Sequence, residues 1–216
     1  MPAQDGRMTA LPASPTPASL PGTAALYDVV LALGEHRSMR RLRAATLAAA
    51  GGRTLEVGAG TGLNLSHYPA GVTDLVLTEP DLGMARRLRR RAATTPVIEA
   101  GAQALPFPDA SFDTVVATLV LCTVPDPEAA VAELRRVLRP GGALLFVEHV
   151  RAAAPRAARR QRRWARPWAT VAAGCRCDRD TLALLRRHLD VTDLARHRWR
   201  GMPAIVQPLI TGRAVA

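Results

Sequence analysis

The sequence predicts an α/β protein: a mostly parallel sheet with helices on both faces and an antiparallel hairpin at its C-terminal end. Three observations predict it. From residue 53 onward, short apolar runs alternate with amphipathic helical segments, the pattern of a parallel sheet covered on both sides. A glycine-rich turn, "VGAGTG" at 57–62, follows the first of those runs. The last two apolar runs follow one another across a short loop with no helix between them, as hairpin strands do.

Taken in order, residues 1–22 are rich in Pro, Ala, Ser and Thr, with prolines at 12, 15, 17 and 21 that remove donors and block helix; they read as a disordered tail. Residues 23–216 then form one domain. Apolar residues at three- and four-residue spacing over 23–52 predict one or two covering helices, ended by Gly51 and Gly52. "RTLEVG" is the first strand and "TDLVLTE" at 73–79 the second, followed by the helix "DLGMARRLRRRAA". "PVIE" at 96–99 is a short strand, and "SFDTVVATLV" a buried one starting near Asp113. "DPEAAVAELRRVLRPGG" has proline at its start and Pro-Gly-Gly at its end, the boundary chemistry of a helix. "GALLFVEHV" is the next strand, and a helix "RDTLALLRRHL" is expected with Asp178 as its cap. "VTDLARHRWR" and "VQPLITGRAVA" are the hairpin strands.

Composition narrows the function classes. The formal net charge is +11, and all 29 basic residues are arginine. Such charge admits a nucleic-acid-binding module. The absence of lysine and the scarcity of base-stacking aromatics favour arginines spread over solvated helix faces instead. Three cysteines are too few and too odd for a disulfide framework, and no apolar run reaches the roughly 18 residues that span a bilayer. With no basic-then-apolar leader at the N-terminus, the cytoplasm is the expected location.

The glycine-rich turn is the most informative segment. Gly58, Gly60 and Gly62 fall between a strand and an expected helix, where backbone must approach a ligand closely. Glu56 precedes them, and Glu79 lies about 20 residues on, at the end of the next strand, placed to accept from ribose hydroxyls. Dinucleotide sites use G-x-G-x-x-G to meet a pyrophosphate. Here the spacing is G-x-G-x-G behind an acid, which repels phosphate and suits a cationic ligand.

"LEVGAGTG", "LPFPDASFD", "VLCTVPDPEAAVAELRRVLRPGG" and the closing hairpin together resemble a class I S-adenosylmethionine-dependent methyltransferase over about residues 24–216. The resemblance implies a Rossmann-like fold of seven strands and S-adenosylmethionine as cofactor. It implies that Glu56, Gly58, Ala59, Gly60, Gly62 and Asn64 surround the methionine part, with Thr118 and Leu119 holding it from the fourth strand. Glu79 and Pro80 would take the ribose and adenine, and Tyr27 would cover the cofactor from the N-terminal helix. Relatives often carry "GDA" before "LPF", the aspartate accepting from the adenine amino group. Here "AGAQALPF" places Gly101 there, leaving Ala102 and Gln103 to serve.

The second half is similar to the small thiol S-methyltransferases of the methyltransferase-like seven type, through "TLVLCTVPDP", "EHV", "PWATVAAGC" and "QPLITGRAVA". That implies a small, lipophilic acceptor, with a thiol first; N-methylation of a phospholipid head group and C-methylation of a quinone are the rival reactions. A thiol near its ordinary pKa is partly ionised at neutral pH and needs no strong base. Polar candidates near the strand ends are Tyr27, Asp28, His36, Glu148, His149 and Asp178, with His149 and Asp28 taken as catalytic. Residues 151–178 read as a lid over the acceptor. Their arginine-rich portion, 151–168, is open to a second role, peripheral contact with anionic membrane through Trp164 and Trp168.

"GCRCDRD" at 174–180 carries two cysteines one residue apart. A zinc site there would need two more ligands at sensible spacing, for which His188 and His197 are a poor match, so no metal is expected. A redox pair wants two residues between the cysteines. In the thiol S-methyltransferases that this half resembles, the first cysteine recurs after glycine and the second position carries no cysteine; the resemblance implies that Cys175 belongs to the acceptor pocket with Trp164 and Trp168, and that Cys177→Ala is nearly silent.

Overall fold

The computed structural model describes residues 35–216. A π-helical turn, Glu35–Met39, leads into α1, Arg40–Leu47. The elements that follow are β1 (Gly52–Val57), β2 (Val72–Thr78), α2 (Leu82–Ala92), β3 (Val97–Ile98), β4 (Phe112–Thr118), α3 (Pro127–Val137) and β5 (Leu138–His149). Then come α4 (Pro155–Val171), α5 (Thr181–His188), β6 (Asp190–Arg198) and β7 (Pro208–Val215).

The seven strands run in the order β3-β2-β1-β4-β5-β7-β6. β1 to β5 pair in parallel, while β7 is antiparallel to both β5 and β6. The expected mostly parallel sheet with a C-terminal hairpin is therefore present. β4 and the C-terminal part of β5 are apolar and buried on both faces, because helices cover the sheet from each side. Caps fix the helices: the Asp81 carboxylate accepts from the Met84 N–H at 2.8 Å, and Asp126 from the Ala129 N–H at 3.1 Å.

Three details depart from expectation. No α-helix follows the glycine-rich turn; residues 58–64 form turns and Leu65–His67 a single 3₁₀ turn. Gly58, Gly60 and Gly62 all have positive φ, which a helix cannot use, and Asn64 is drawn into a side-chain network described below. β5 begins directly at Leu138, so Pro140–Gly142 lies within that strand. The cap of α5 is Asp180, which accepts from the Ala183 N–H, whereas Asp178 pairs with Arg176 at 3.2 Å. Asp180 stands immediately before the helix and Asp178 is too far upstream to reach its free donors.

α4 shows how an arginine-rich segment becomes a structural element. Ala158, Gln161 and Ala165 are buried and Trp168 is half-buried, a stripe at helical spacing. Arg156, Arg159, Arg160, Arg162, Arg163 and Arg166 are all exposed. Gln161 ties the helix down: its Oε1 accepts from the Ala152 N–H at 2.7 Å, and its Nε2 lies within bonding distance of the carbonyls of Val150, Cys177 and Ile205. No described helix is long and apolar enough to cross a membrane.

Candidate active site

Strand order reverses between β1 and β4, and in open α/β sheets ligands bind beyond the C-terminal ends of the strands at such a point. Two recesses lie there. One is a polar cleft of about 30 Å³ lined by Arg43, Glu56, the Gly58–Thr61 loop, Leu63 and Thr118. The other is an apolar cavity of about 50 Å³ lined by Leu119, Cys122, Thr123, His149, Trp168, Ala172, Ala173, Cys175, Trp199, Met202 and Val206. Consecutive residues line them, Thr118 the cleft and Leu119 the cavity. Leu119 has φ +59°, a conformation costly for a side chain bearing Cβ, and is held there by its N–H donating to the Val147 carbonyl at 2.8 Å.

A connected set of side chains builds the cleft. The Glu56 carboxylate accepts from Asn64 Nδ2 at 2.9 Å and from the Tyr68 hydroxyl at 2.6 Å. Asn64 Nδ2 is also 3.1 Å from Thr118 Oγ1, and Asn64 Oδ1 accepts from Arg43 Nη1 at 2.9 Å. Arg43 in turn pairs with Glu35. Burial pushes Glu56 up to about 7 despite these donors. The glycines keep the loop open. A Cβ on Gly58 would sit 2.8 Å from Val120 Cγ2, whereas one on Gly60 would meet nothing within 4 Å, so Gly60 presents bare backbone to open space.

Not every expected cofactor residue lines this cleft. Glu79 is buried, and its two oxygens accept from the N–H groups of Gly60 and Asp81, which clips the glycine loop to the end of β2. Burial raises its pKa above the usual carboxylate range. Pro80, Gly101, Ala102 and Gln103 lie farther along the sheet edge, past β2 and β3, and Gly101 has open space where a Cβ would be. Gly62 packs under the loop, where a Cβ would meet Leu65 and Leu88. Tyr27, Asp28 and the side chain of His36 lie outside the described residues.

In the second recess His149, Trp168 and Cys175 come together as expected, and Cys122 joins them. His149 Nδ1 is 3.4 Å from Cys122 Sγ and 3.6 Å from Cys175 Sγ, and the two sulfurs are 3.8 Å apart. The Cys122 thiol facing Cys175, with His149 beside it, holds Cys175 below the ordinary thiol range against the opposing effect of burial; Cys122 is pushed up. Glu148 braces the loop that carries Cys122: one oxygen accepts from the Val120 and Leu121 N–H groups at 2.8 and 2.9 Å. Burial pushes Glu148 up to about 7. Among the described residues, two buried nitrogens of the cavity lining, His149 Nε2 and Trp199 Nε1, have no hydrogen-bond partner, a pattern expected where a ligand completes a site, while the Trp168 indole lies against Cys175.

Trp164 does not join this group; it lies among the arginines on the outer face of α4 and is 51% exposed. Cys177 is fully buried in the apolar cluster containing Cys122 and Trp199, so Cys177→Ala removes core packing and is not silent for stability. The distant histidines are engaged elsewhere, His188 with Glu128 and His197 with Thr211. Arg43, Tyr68 and Cys122 were not picked out from the sequence. Arg43 sits four residues from both Met39 and Leu47, two fully buried side chains, and that spacing marks it as inward-facing.

Residues 55–146 match the family described as a methyltransferase domain. Phosphatidylethanolamine N-methyltransferase of Cereibacter sphaeroides is 42% identical over 131 residues, 58% of this chain and 64% of that protein. Human thiol S-methyltransferase TMT1B is 41% identical over 103 residues, 44% of this chain and 42% of that protein. The chain thus spans about half the length of the curated relatives it matches. Among solved structures, an S-adenosylmethionine-dependent methyltransferase of Thermotoga maritima superposes with a TM-score of 0.66 at 22% identity, covering 88% of this chain and 95% of that one. That likeness fixes the fold.

Proposed function

We propose that the protein transfers the methyl group of S-adenosylmethionine to a small acceptor held in the apolar cavity, and that the acceptor is a thiol; the match of residues 55–146 to a methyltransferase domain supports the transfer. One observation carries the reading: the polar cleft that holds Glu56 and the apolar cavity are lined by consecutive residues, Thr118 and Leu119.

The residues present fit the cofactor. Bare backbone at Gly60 leaves room for it, and Glu56, Asn64 and Thr118 present the polar atoms of the amino-acid end. We assign the ribose and adenine to Glu79 and Pro80, with Gly101, Ala102 and Gln103; each Glu79 oxygen already accepts one backbone N–H and keeps a second acceptor position for a ribose hydroxyl. When bound, S-adenosylmethionine supplies an electrophilic methyl group on a cationic sulfonium. Glu56, once ionised, favours that cation, and Arg43 limits the acidity of the cleft. On the other side, Leu119, Trp168, Trp199 and Met202 exclude water and bring the acceptor within reach, which is most of what an in-line displacement requires. His149 is the polar side chain of this wall that contacts the acceptor.

Lipid amines and quinones are the rival acceptors. Among the described residues the cavity lining has no carboxylate to pair with a lipid ammonium, which favours the thiol. Calorimetry with S-adenosylhomocysteine, followed by product detection with alkyl thiols, phosphatidylethanolamine and a demethylquinone, tests the reading. Binding and a methyl thioether product are expected. Absence of S-adenosylhomocysteine binding at millimolar concentration overturns the transferase; methylation of the lipid or quinone but of no thiol overturns the acceptor.

A further inference from the structure

We propose that Cys122, His149 and Cys175 form a zinc site whose fourth coordination position opens into the acceptor cavity and binds a thiol. The proposal deepens the thiol reading above and rests on it only for the identity of the fourth ligand.

The geometry argues for it. Zinc bonds to sulfur at about 2.3 Å and to imidazole nitrogen at about 2.0–2.1 Å with tetrahedral angles, which sets sulfur–sulfur edges near 3.8 Å and sulfur–nitrogen edges near 3.6 Å. The three edges here are 3.8 Å between the sulfurs and 3.4 and 3.6 Å from them to His149 Nδ1. Two thiolates and one imidazole form a soft donor set that suits zinc over calcium or magnesium. Three protein ligands with one open position are the arrangement of catalytic zinc, whereas structural zinc is closed by four.

The ligands are held in place from behind. The Arg176 N–H donates to the Cys122 carbonyl at 2.7 Å and joins the two cysteine segments, and Arg179 Nη1 donates to the Leu121 carbonyl at 2.6 Å. Thr181 Oγ1 donates to the His149 carbonyl at 2.7 Å, and Glu148 grips the backbone ahead of Cys122. All three ligands are buried and all three line the cavity. A thiol entering there exchanges its S–H bond for a sulfur–zinc bond and releases its proton to water, leaving a bound thiolate beside the cleft. No redox change is involved.

The test uses the full chain purified under reducing conditions, with metal content measured by plasma mass spectrometry and Co²⁺ titration followed in the visible spectrum. About one zinc per chain is expected, together with a tetrahedral cobalt spectrum carrying sulfur charge transfer that zinc displaces. Cys122→Ser, His149→Ala and Cys175→Ser should each weaken metal binding at least tenfold, and Cys177→Ala should retain it. S-adenosylhomocysteine binding reports that each variant is folded. An alkyl thiol should alter the cobalt spectrum. A chain that binds S-adenosylhomocysteine but takes up no metal overturns the site, as does a Cys122–Cys175 disulfide in the reduced preparation or metal retained equally by the Ser variants. A cobalt spectrum indifferent to thiol overturns the open position. Metal binding with a thiol response but no thioether product leaves the site standing and removes the thiol as methyl acceptor. Thiol methylation by a metal-free chain does the reverse.

Discussion

The two recesses on either side of the Thr118–Leu119 step are built by opposite means. In the cleft, polar groups answer one another: Glu56 has two donors, and Asn64 bridges it to Arg43, while Glu79 beside it accepts from two backbone N–H groups. In the cavity, apolar walls surround nitrogens without partners among the described residues and a cluster of two thiols and an imidazole. Their sequence origins differ as well. Most of the cleft lies within the segment 55–146 that matches the methyltransferase domain, while eight of the eleven cavity residues, from His149 to Val206, lie beyond it. A cleft that handles one donor can be shared across a family. On the proposed reading the cavity wall meets the acceptor, and relatives of similar identity bear names with different acceptors.

Substitutions that strike one recess and spare the other test this division. The largest effect is expected from Gly58→Val, since its side chain would collide with Val120 at a positive φ. S-adenosylhomocysteine affinity should fall at least a hundredfold, on the order of 2.8 kcal/mol, by calorimetry. Trp199→Ala removes a fully buried indole from the cavity wall and should lower stability by about 3–5 kcal/mol in chemical denaturation. In the fraction that stays folded it should raise the acceptor KM while leaving cofactor affinity within about twofold. If cofactor affinity falls in parallel, the two recesses are not independent.

A smaller effect separates them by pH. Glu56 titrates near 7, so affinity for the cationic cofactor should rise several-fold from pH 6 to 8, and Glu56→Gln should flatten that rise. Folding responds in the opposite sense. Glu56 and Glu148 hold their protons more tightly when folded, so their contribution is full below the unfolded carboxylate range and is lost as pH rises through about 7. Melting temperature measured across that window should fall, and less steeply in Glu56→Gln. The smallest effect is expected at Trp164→Ala, outside both recesses, with stability changed by less than about 0.5 kcal/mol and acceptor kinetics unaltered.

The legible part of the molecule was the part governed by local pattern. Apolar runs at the period of parallel strands located the sheet, and the bare turn after β1 located the cleft. The fate of residues 58–67 was hidden because a 3₁₀ turn replaces the helix only once Asn64 is committed to Glu56 and Arg43. Cys122 was hidden for a different reason: 53 residues separate it from Cys175, and only the return of the chain after α4 brings them together. Trp164 and Trp168 look alike in the sequence, yet the stripe Ala158, Gln161, Ala165 continues to 168 and not to 164. Trp164 stands one turn before Trp168, at the border of that stripe, and is exposed where Trp168 is half-buried.

Gln161 sets a limit on how the cavity exchanges its contents. Its hydrogen bonds reach Ala152, Val150, Cys177 and Ile205, so swinging α4 outward as one body would strip all of these polar groups at once. Beyond that anchor the helix holds Pro167, which cannot donate to the turn before it, and ends in Ala173 and Gly174, both at positive φ. Gln161 thus holds the middle of α4, while the segment from Trp168 to Gly174 that lines the cavity carries none of its hydrogen bonds and is closed by backbone bonds of its own.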